Sequence, residues 1–145
     1  MKELVWIQQN LRAPKGQRNS FGNYNYRSCE DILTAVKPLL GGCTLTLTDE
    51  VVNVGNRNYV IATATISKGS ESVSTKGWAC ESETKKGMDS AQITGACSSY
   101  ARKYALNGLF AIDDTKDADT NEAAGGFTTQ QNVVPNVIPQ HTDNW

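Results

Sequence analysis

Between Thr44 and Glu81 the chain reads TLTLTDEVVNVGNRNYVIATATISKGSESVSTKGWACE, and much of this stretch repeats its side-chain character at every second position. Successive side chains of a strand point to opposite faces. Thr44 to Thr48, alternating threonine with leucine, therefore reads as one half-buried strand, and Tyr59 to Ile66, with Val60, Ala62, Ala64 and Ile66 on one face, reads as a second. Asn53 to Asn58 supplies a hairpin turn between them, and a further turn near Lys68 to Ser70 leads into a third strand over Ser72 to Glu81. The spacing predicts an antiparallel meander of three strands. Such a sheet is not stable alone in water, so one of its faces needs a cover.

The segment Met88 to Leu106 offers that cover. At about 100° per residue, Ile93, Cys97, Tyr100 and Tyr104 fall on one stripe of a helix, expected to face the sheet, while Gln92, Ser99 and Lys103 lie opposite. Small residues at Ala91, Gly95, Ala96, Ser98 and Ala101 allow close approach by a sheet or a neighbouring subunit. Toward the N-terminus, Ser28 is a helix N-cap with Asp31 three residues on, and Ile32, Leu33, Val36, Leu39 and Leu40 supply an apolar face for a helix over 29–40. Pro38 predicts a kink or early stop before Gly41 and Gly42. Met1 to Leu11 reads as a short amphipathic helix with Leu4, Ile7 and Leu11 inward, ending before Pro14. Between these helices, APKGQRNSFG (Ala13 to Gly22) reads as a flexible basic loop and Tyr24 to Arg27 as a short extended piece.

The class is therefore α+β: an antiparallel β-meander of about three strands packed on helices. At 145 residues there is room for one domain, expected over 1–112, with 113–145 as an acidic to polar tail read as disordered. The charge follows the same division. Residues 1–112 hold 13 Lys/Arg and 9 Asp/Glu, for a net +4, whereas 113–145 set Lys116 against six acids, for a net −5. Cys29, Cys43, Cys80 and Cys97 are far apart with no Cys-x-x-Cys pair, and the single histidine is His141, so free thiols are expected and a zinc site is not. Met1 to Arg12 carries no signal-peptide pattern, and no run of 18 apolar residues occurs, which predicts a soluble cytoplasmic protein without membrane contact.

Two longer blocks carry a family likeness. NSFGNYNYRSCEDILTAVKPLL (Asn19 to Leu40) and KGMDSAQITGACSSYARKYALNGLFAIDDTKDAD (Lys86 to Asp119) closely resemble the signature blocks of the essential-recombination-function (ERF) family, and Gly77, Trp78 and Glu81 resemble the strand end before the second block. The likeness spans roughly 2–119. It implies a phage or prophage recombination protein that works in the host bacterial cytoplasm as a homo-oligomeric ring or helical filament. Its core would resemble that of other single-strand annealing proteins. Its partners would be single-stranded DNA and the annealing duplex intermediate, with a phage exonuclease or host single-strand-binding protein as further partners.

Annealing needs no bond-making group, so the expectation is a protein that is not an enzyme and requires no cofactor, with Mg²⁺ acting at most through the DNA. No G-x-x-x-x-G-K-[ST] loop for ATP is present. What annealing does need is cations for phosphates and aromatic faces for bases. Three places combine them. Lys15 and Arg18 lie beside Phe21, followed by Tyr24, Tyr26 and Arg27, where the aromatics read equally as core anchors. Lys76 and Trp78 share a strand face, although a tryptophan in a small sheet reads first as buried against a helix, and Lys85 with Lys86 either extends that path or forms a solvated turn. Arg102 and Lys103 lie toward the end of the long helix, where they also suit its dipole, with Gln92, Ser98 and Ser99 as further donors to phosphate. A +4 subunit binds weakly alone, so an oligomer is expected. The rivals are a protein that protects single strands without annealing them, and a Mg²⁺-dependent nuclease using Asp113, Asp114, Asp117 and Asp119.

Overall fold

The computed structural model describes residues 1–113. Helix α1 (Lys2–Asn10) leads into a small hairpin of β1 (Gln17–Asn19) and β2 (Tyr24–Tyr26). Helix α2 (Cys29–Val36) runs into a 3₁₀ turn (Lys37–Leu39), then come β3 (Thr44–Val54), β4 (Arg57–Lys68), β5 (Glu71–Cys80) and the long helix α3 (Ser90–Phe110). The expected meander is present as an antiparallel sheet in the order β3-β4-β5.

Its strands run past the stretches of clean alternation because backbone pairing continues to two-residue turns. Val54 pairs with Arg57 around Gly55, and Lys68 pairs with Glu71 around Gly69. Both glycines hold positive φ, +64° and +58°, which lets the turn follow the twist of its strands. Val60, Ala62, Ala64 and Ile66 are buried, and Leu45 and Leu47 pack against the same core. Ile7, Ile32, Val36, Leu106, Leu109 and Phe110 complete it from the three helices. Each such side chain fully withdrawn from water contributes about 1.5–3 kcal/mol. Cys29, Cys43 and Cys97 are buried free thiols that pack as small apolar residues, and desolvation pushes the Cys29 and Cys97 thiols up.

Capping works as the residues predict. Ser28 Oγ accepts from Asp31 N at 3.1 Å while Asp31 Oδ2 accepts from Ser28 N at 2.8 Å. The helix expected over 29–40 stops at Val36, and Pro38 sits in the 3₁₀ turn that follows. The segment Ala13 to Gly22 is not all loop, because Gln17–Asn19 pairs with Tyr24–Tyr26. Side-chain chemistry makes that hairpin: Asn19 Oδ1 accepts from Phe21 N at 2.9 Å and Gly22 N at 3.1 Å, and Asn23 takes φ +52°.

Helix α3 departs most from its expected face. Cys97, Ala101, Ala105, Leu106, Leu109 and Phe110 are buried, whereas Tyr100 and Tyr104 are about half exposed. The reason lies in β5. A Cβ on Gly77 would strike the Ala101 carbonyl oxygen and the Ala105 nitrogen and stand 2.9 Å from Tyr104 Cβ. Helix backbone meets strand backbone there, so only alanine fits the seam and the tyrosines turn to its flank. Elsewhere, Lys68 Nζ meets Glu3 at 2.6 Å and Gln8 Nε2 donates to the Leu109 carbonyl at 2.9 Å, tying α1 to the sheet and to the end of α3.

Candidate nucleic-acid interface

Tyr24 and Tyr26 are two apart on β2, so their rings emerge on one side, 6.2 Å apart and edge-on at 62°. Tyr100 and Tyr104 are four apart on α3 and meet at 6.4 Å. The Lys103 ammonium lies 5.2 Å from the Tyr100 ring centroid and 5.9 Å from that of Tyr104, within cation–π range of both. Desolvation raises the Tyr100 phenol above its ordinary value, and the phenols of Tyr24, Tyr104 and Tyr26 add to the rise. The result is one ammonium over the two helix rings and a second tyrosine pair on the hairpin, with Tyr24, Tyr100 and Tyr104 open to solvent.

The other cations fall in different surroundings. Arg18 pairs in register with Asn25, on the opposite side of the hairpin from Tyr24 and Tyr26, and its guanidinium donates to the side-chain oxygens of Asn23 and Asn25. Arg27 is only 8% exposed and donates from Nε to the Ala13 carbonyl at 2.6 Å, so it pins the loop before β1 from inside. Lys15, in the same loop, is half-buried. Arg102 lies against Asp49 of β3, with Nε at 3.0 Å from Oδ1 and Nη2 at 3.0 Å from Oδ2, and Ser98 Oγ donates to the same carboxylate at 2.5 Å.

Lys76 and Trp78 do share a face of β5, but it is the sheet face turned away from α3, so they belong to a separate surface. Lys76 meets Glu50 at 3.4 Å there. Trp78, read first as a core residue, is 51% exposed and packs edge-on against Tyr59 at 6.3 Å. Gly77 explains its position: the helix-facing site beside it takes no side chain, and alternation turns the indole outward. Lys85 and Lys86 are exposed in the loop before α3, Ser99 is exposed on the helix, and Gln92 is held in a capping box in which it accepts from Asp89 N at 3.1 Å.

Of the residues singled out in the sequence, Tyr24 and Tyr26 form an exposed-edge ring pair on the hairpin, and Lys103 lies over Tyr100 and Tyr104, two rings that the sequence had placed toward the sheet. The alternation of Tyr24 with Tyr26 and the i, i+4 spacing of Tyr100 with Tyr104 were both legible. Assigning the second pair to the surface required noticing that Ala101 and Ala105 mark a tighter seam than any tyrosine can enter. Among the described residues no group of three or more His, Cys, Asp and Glu is placed to hold a metal ion, and no helix is long and apolar enough to cross a membrane. Asp113 is exposed at the end of the described chain, and Asp114, Asp117 and Asp119 lie outside it.

A model of the ERF superfamily matches residues 1–143, nearly the whole length. The chain belongs to that family. It is also 61% identical over 132 residues, 91% of its length, to the essential recombination function protein of Salmonella phage P22, and it spans 62% of that protein's length. No solved structure matches it significantly. The ERF match takes in both the hairpin and α3, the two elements that carry the tyrosine pairs.

Proposed function

We propose that this ERF-family chain binds single-stranded DNA as a homo-oligomer and pairs complementary strands without nucleotide hydrolysis, in phage-type recombination within the bacterial cytoplasm. The observation that carries this is the Lys103 ammonium held over the half-exposed Tyr100 and Tyr104 rings, with a second tyrosine pair, Tyr24 and Tyr26, on the hairpin. Every base has a π-face, so open rings beside a cation grip a strand without reading its sequence, and each stacked base contributes about 1–3 kcal/mol. Stacking engages faces and leaves base edges open to a second strand. Pairing is itself downhill by about 1.4 kcal/mol per base-pair step, so the protein needs only to hold and release.

One subunit is a weak binder. The ion pairs of Arg102 with Asp49 and of Lys76 with Glu50 lower the charge left for phosphates, which strengthens the case for repeated sites. Linking such sites in a ring or filament makes successive contacts intramolecular and raises avidity by about 10²–10⁴. The name of the phage P22 relative, an essential recombination function protein, agrees with this role. A phage exonuclease or a host single-strand-binding protein would act on either side of the annealing step.

The test is pairing of two complementary oligonucleotides, with and without the purified protein, in the absence of ATP. Faster pairing is expected. Binding without faster pairing would make the chain a protective single-strand binder, and Mg²⁺-dependent cleavage of labelled strands would make it a nuclease.

A further inference from the structure

The turn between β1 and β2 carries Phe21 fully exposed, at 102%. Side chains brace the turn around it. Asn19 Oδ1 accepts from the Phe21 and Gly22 amides at 2.9 and 3.1 Å, and Asn19 Nδ2 donates to the Tyr24 hydroxyl at 3.0 Å. The Tyr24 ring lies against Gly22, where any Cβ would strike it. This framework uses only the backbone N–H of Phe21, which any residue except proline supplies. A single exposed apolar side chain is ordinary on a protein surface. A phenyl ring held wholly in water on a braced turn is placed to enter a partner.

Charge identifies the partner. From Lys15 to Arg27 the chain holds three cations, Lys15, Arg18 and Arg27, and no acid. The Arg18 guanidinium reaches the turn itself, where it donates to the side-chain oxygens of Asn23 and Asn25, amides with no charge of their own. A basic tip of this kind fits a polyanion. A second copy suits it less, because the recess between the ends of α1 and α3 sets Arg12 and Arg27 against Asp113, and like charges oppose docking. We propose that Phe21 is a wedge that enters the stack between two successive bases of a bound single strand, with Arg18 beside a flanking phosphate. Phenylalanine is among the apolar side chains that part base steps in duplexes, and a single strand resists less because it has no pairing to lose. The wedge presupposes the strand binding proposed above and adds to it a device that opens the base stack before pairing.

The full chain is titrated to saturation onto a single-stranded oligonucleotide in which 2-aminopurine sits among adenines. Stacked neighbours quench its emission, which rises where the stack opens. The unaltered protein is expected to raise the emission, Phe21→Ala to lose at least about half of that rise, and Phe21→Leu, whose side chain still wedges, to keep most of it. Phe21→Ala should also bind about tenfold more weakly with its salt dependence unchanged. An undiminished rise in Phe21→Ala overturns the wedge and leaves strand binding standing, as does a bound strand whose emission never rises. No binding by the unaltered protein overturns the strand-binding proposal and the wedge with it. Sedimentation without nucleic acid supplies a separate arm. An assembly that shrinks in Phe21→Ala seats the ring on a neighbouring copy and overturns the wedge, whereas an unchanged assembly supports it.

Discussion

The guanidinium of Arg102 and the carboxylate of Asp49 meet through two N–O contacts of 3.0 Å, joining the middle of α3 to the edge strand β3. Asp49 pairs in register with Ala62, and Ala62 with Gly77, so this ion pair lies on the same row of the sheet as the tightest point of the helix–strand seam. An arginine that reads in sequence as a phosphate ligand thus also works as a clamp. Burial works against ionisation of Asp49, but the hydrogen bonds from Arg102 and Ser98 and the Arg102 charge outweigh it and hold the carboxyl below its usual range.

That depressed value fixes a sign for pH dependence. A carboxylate whose folded pKa is below its unfolded value of about 3.9 stabilises the fold fully above that value, and the contribution disappears as pH falls through the lower folded pKa. Asp49→Asn is therefore expected to lose about 1 kcal/mol near neutral pH, since both partners are partly solvent-screened. The gap between variant and parent should close below about pH 4. Urea unfolding at a series of pH values measures it, and a gap that stays constant into acid would remove the ion pair from the account.

Gly77→Ala tests the seam. The added methyl would collide with backbone atoms of Ala101 and Ala105, which cannot rotate away, so α3 must lift from β5. A loss at the upper end of the about 1–3 kcal/mol typical of overpacking is expected in chemical denaturation. Gly95→Ala is the control, since a Cβ there meets nothing within 4 Å. Replacing that helical glycine should raise stability by up to about 1 kcal/mol. Equal effects at the two sites would mean the close approach is not what Gly77 serves.

The aromatic cluster makes a prediction about binding alone. Tyr100 and Tyr104 are half exposed and lie outside the seam, so Tyr100→Ala and Tyr104→Ala should leave the unfolding midpoint nearly unchanged. Each should still weaken binding to single-stranded oligonucleotides by about 1–3 kcal/mol. Fluorescence anisotropy provides the affinities, and a paired loss of stability and binding would instead mark the rings as structural.

Lys103 separates charge from stacking. Lys103→Gln should lower the slope of log affinity against log salt by about 0.7 per subunit contact, whereas the tyrosine variants should lower affinity with the slope preserved. Affinities measured over a range of salt concentrations decide it, and an unaltered slope in Lys103→Gln would dismiss the phosphate contact.

The alternation over Thr44–Thr48 and Tyr59–Ile66, the cap formed by Ser28 with Asp31, the break at Pro38 and the helix over Met88–Leu106 are all local, and all were legible in the sequence. They depend on neighbours within a few residues, where strand and helix geometry alone decide which side chains meet. The β1–β2 hairpin was less legible because Asn19 organises it through hydrogen bonds rather than apolar spacing. The outward positions of Trp78, Tyr100 and Tyr104 could not be read at all from hydrophobicity. A large ring is apolar wherever it sits, and its side of the helix or strand is set by how closely a distant backbone approaches.

By itself, then, the sequence determined the class of fold, the order of the helices and of the three-stranded meander, and the family likeness that points to DNA recombination. Only the tertiary structure decided which cations are bound to acids and which rings face solvent. Arg102 meets a carboxylate 53 positions away, and Gly77 sets the faces of a helix more than 20 residues later, so both outcomes depend on contacts that no local pattern encodes.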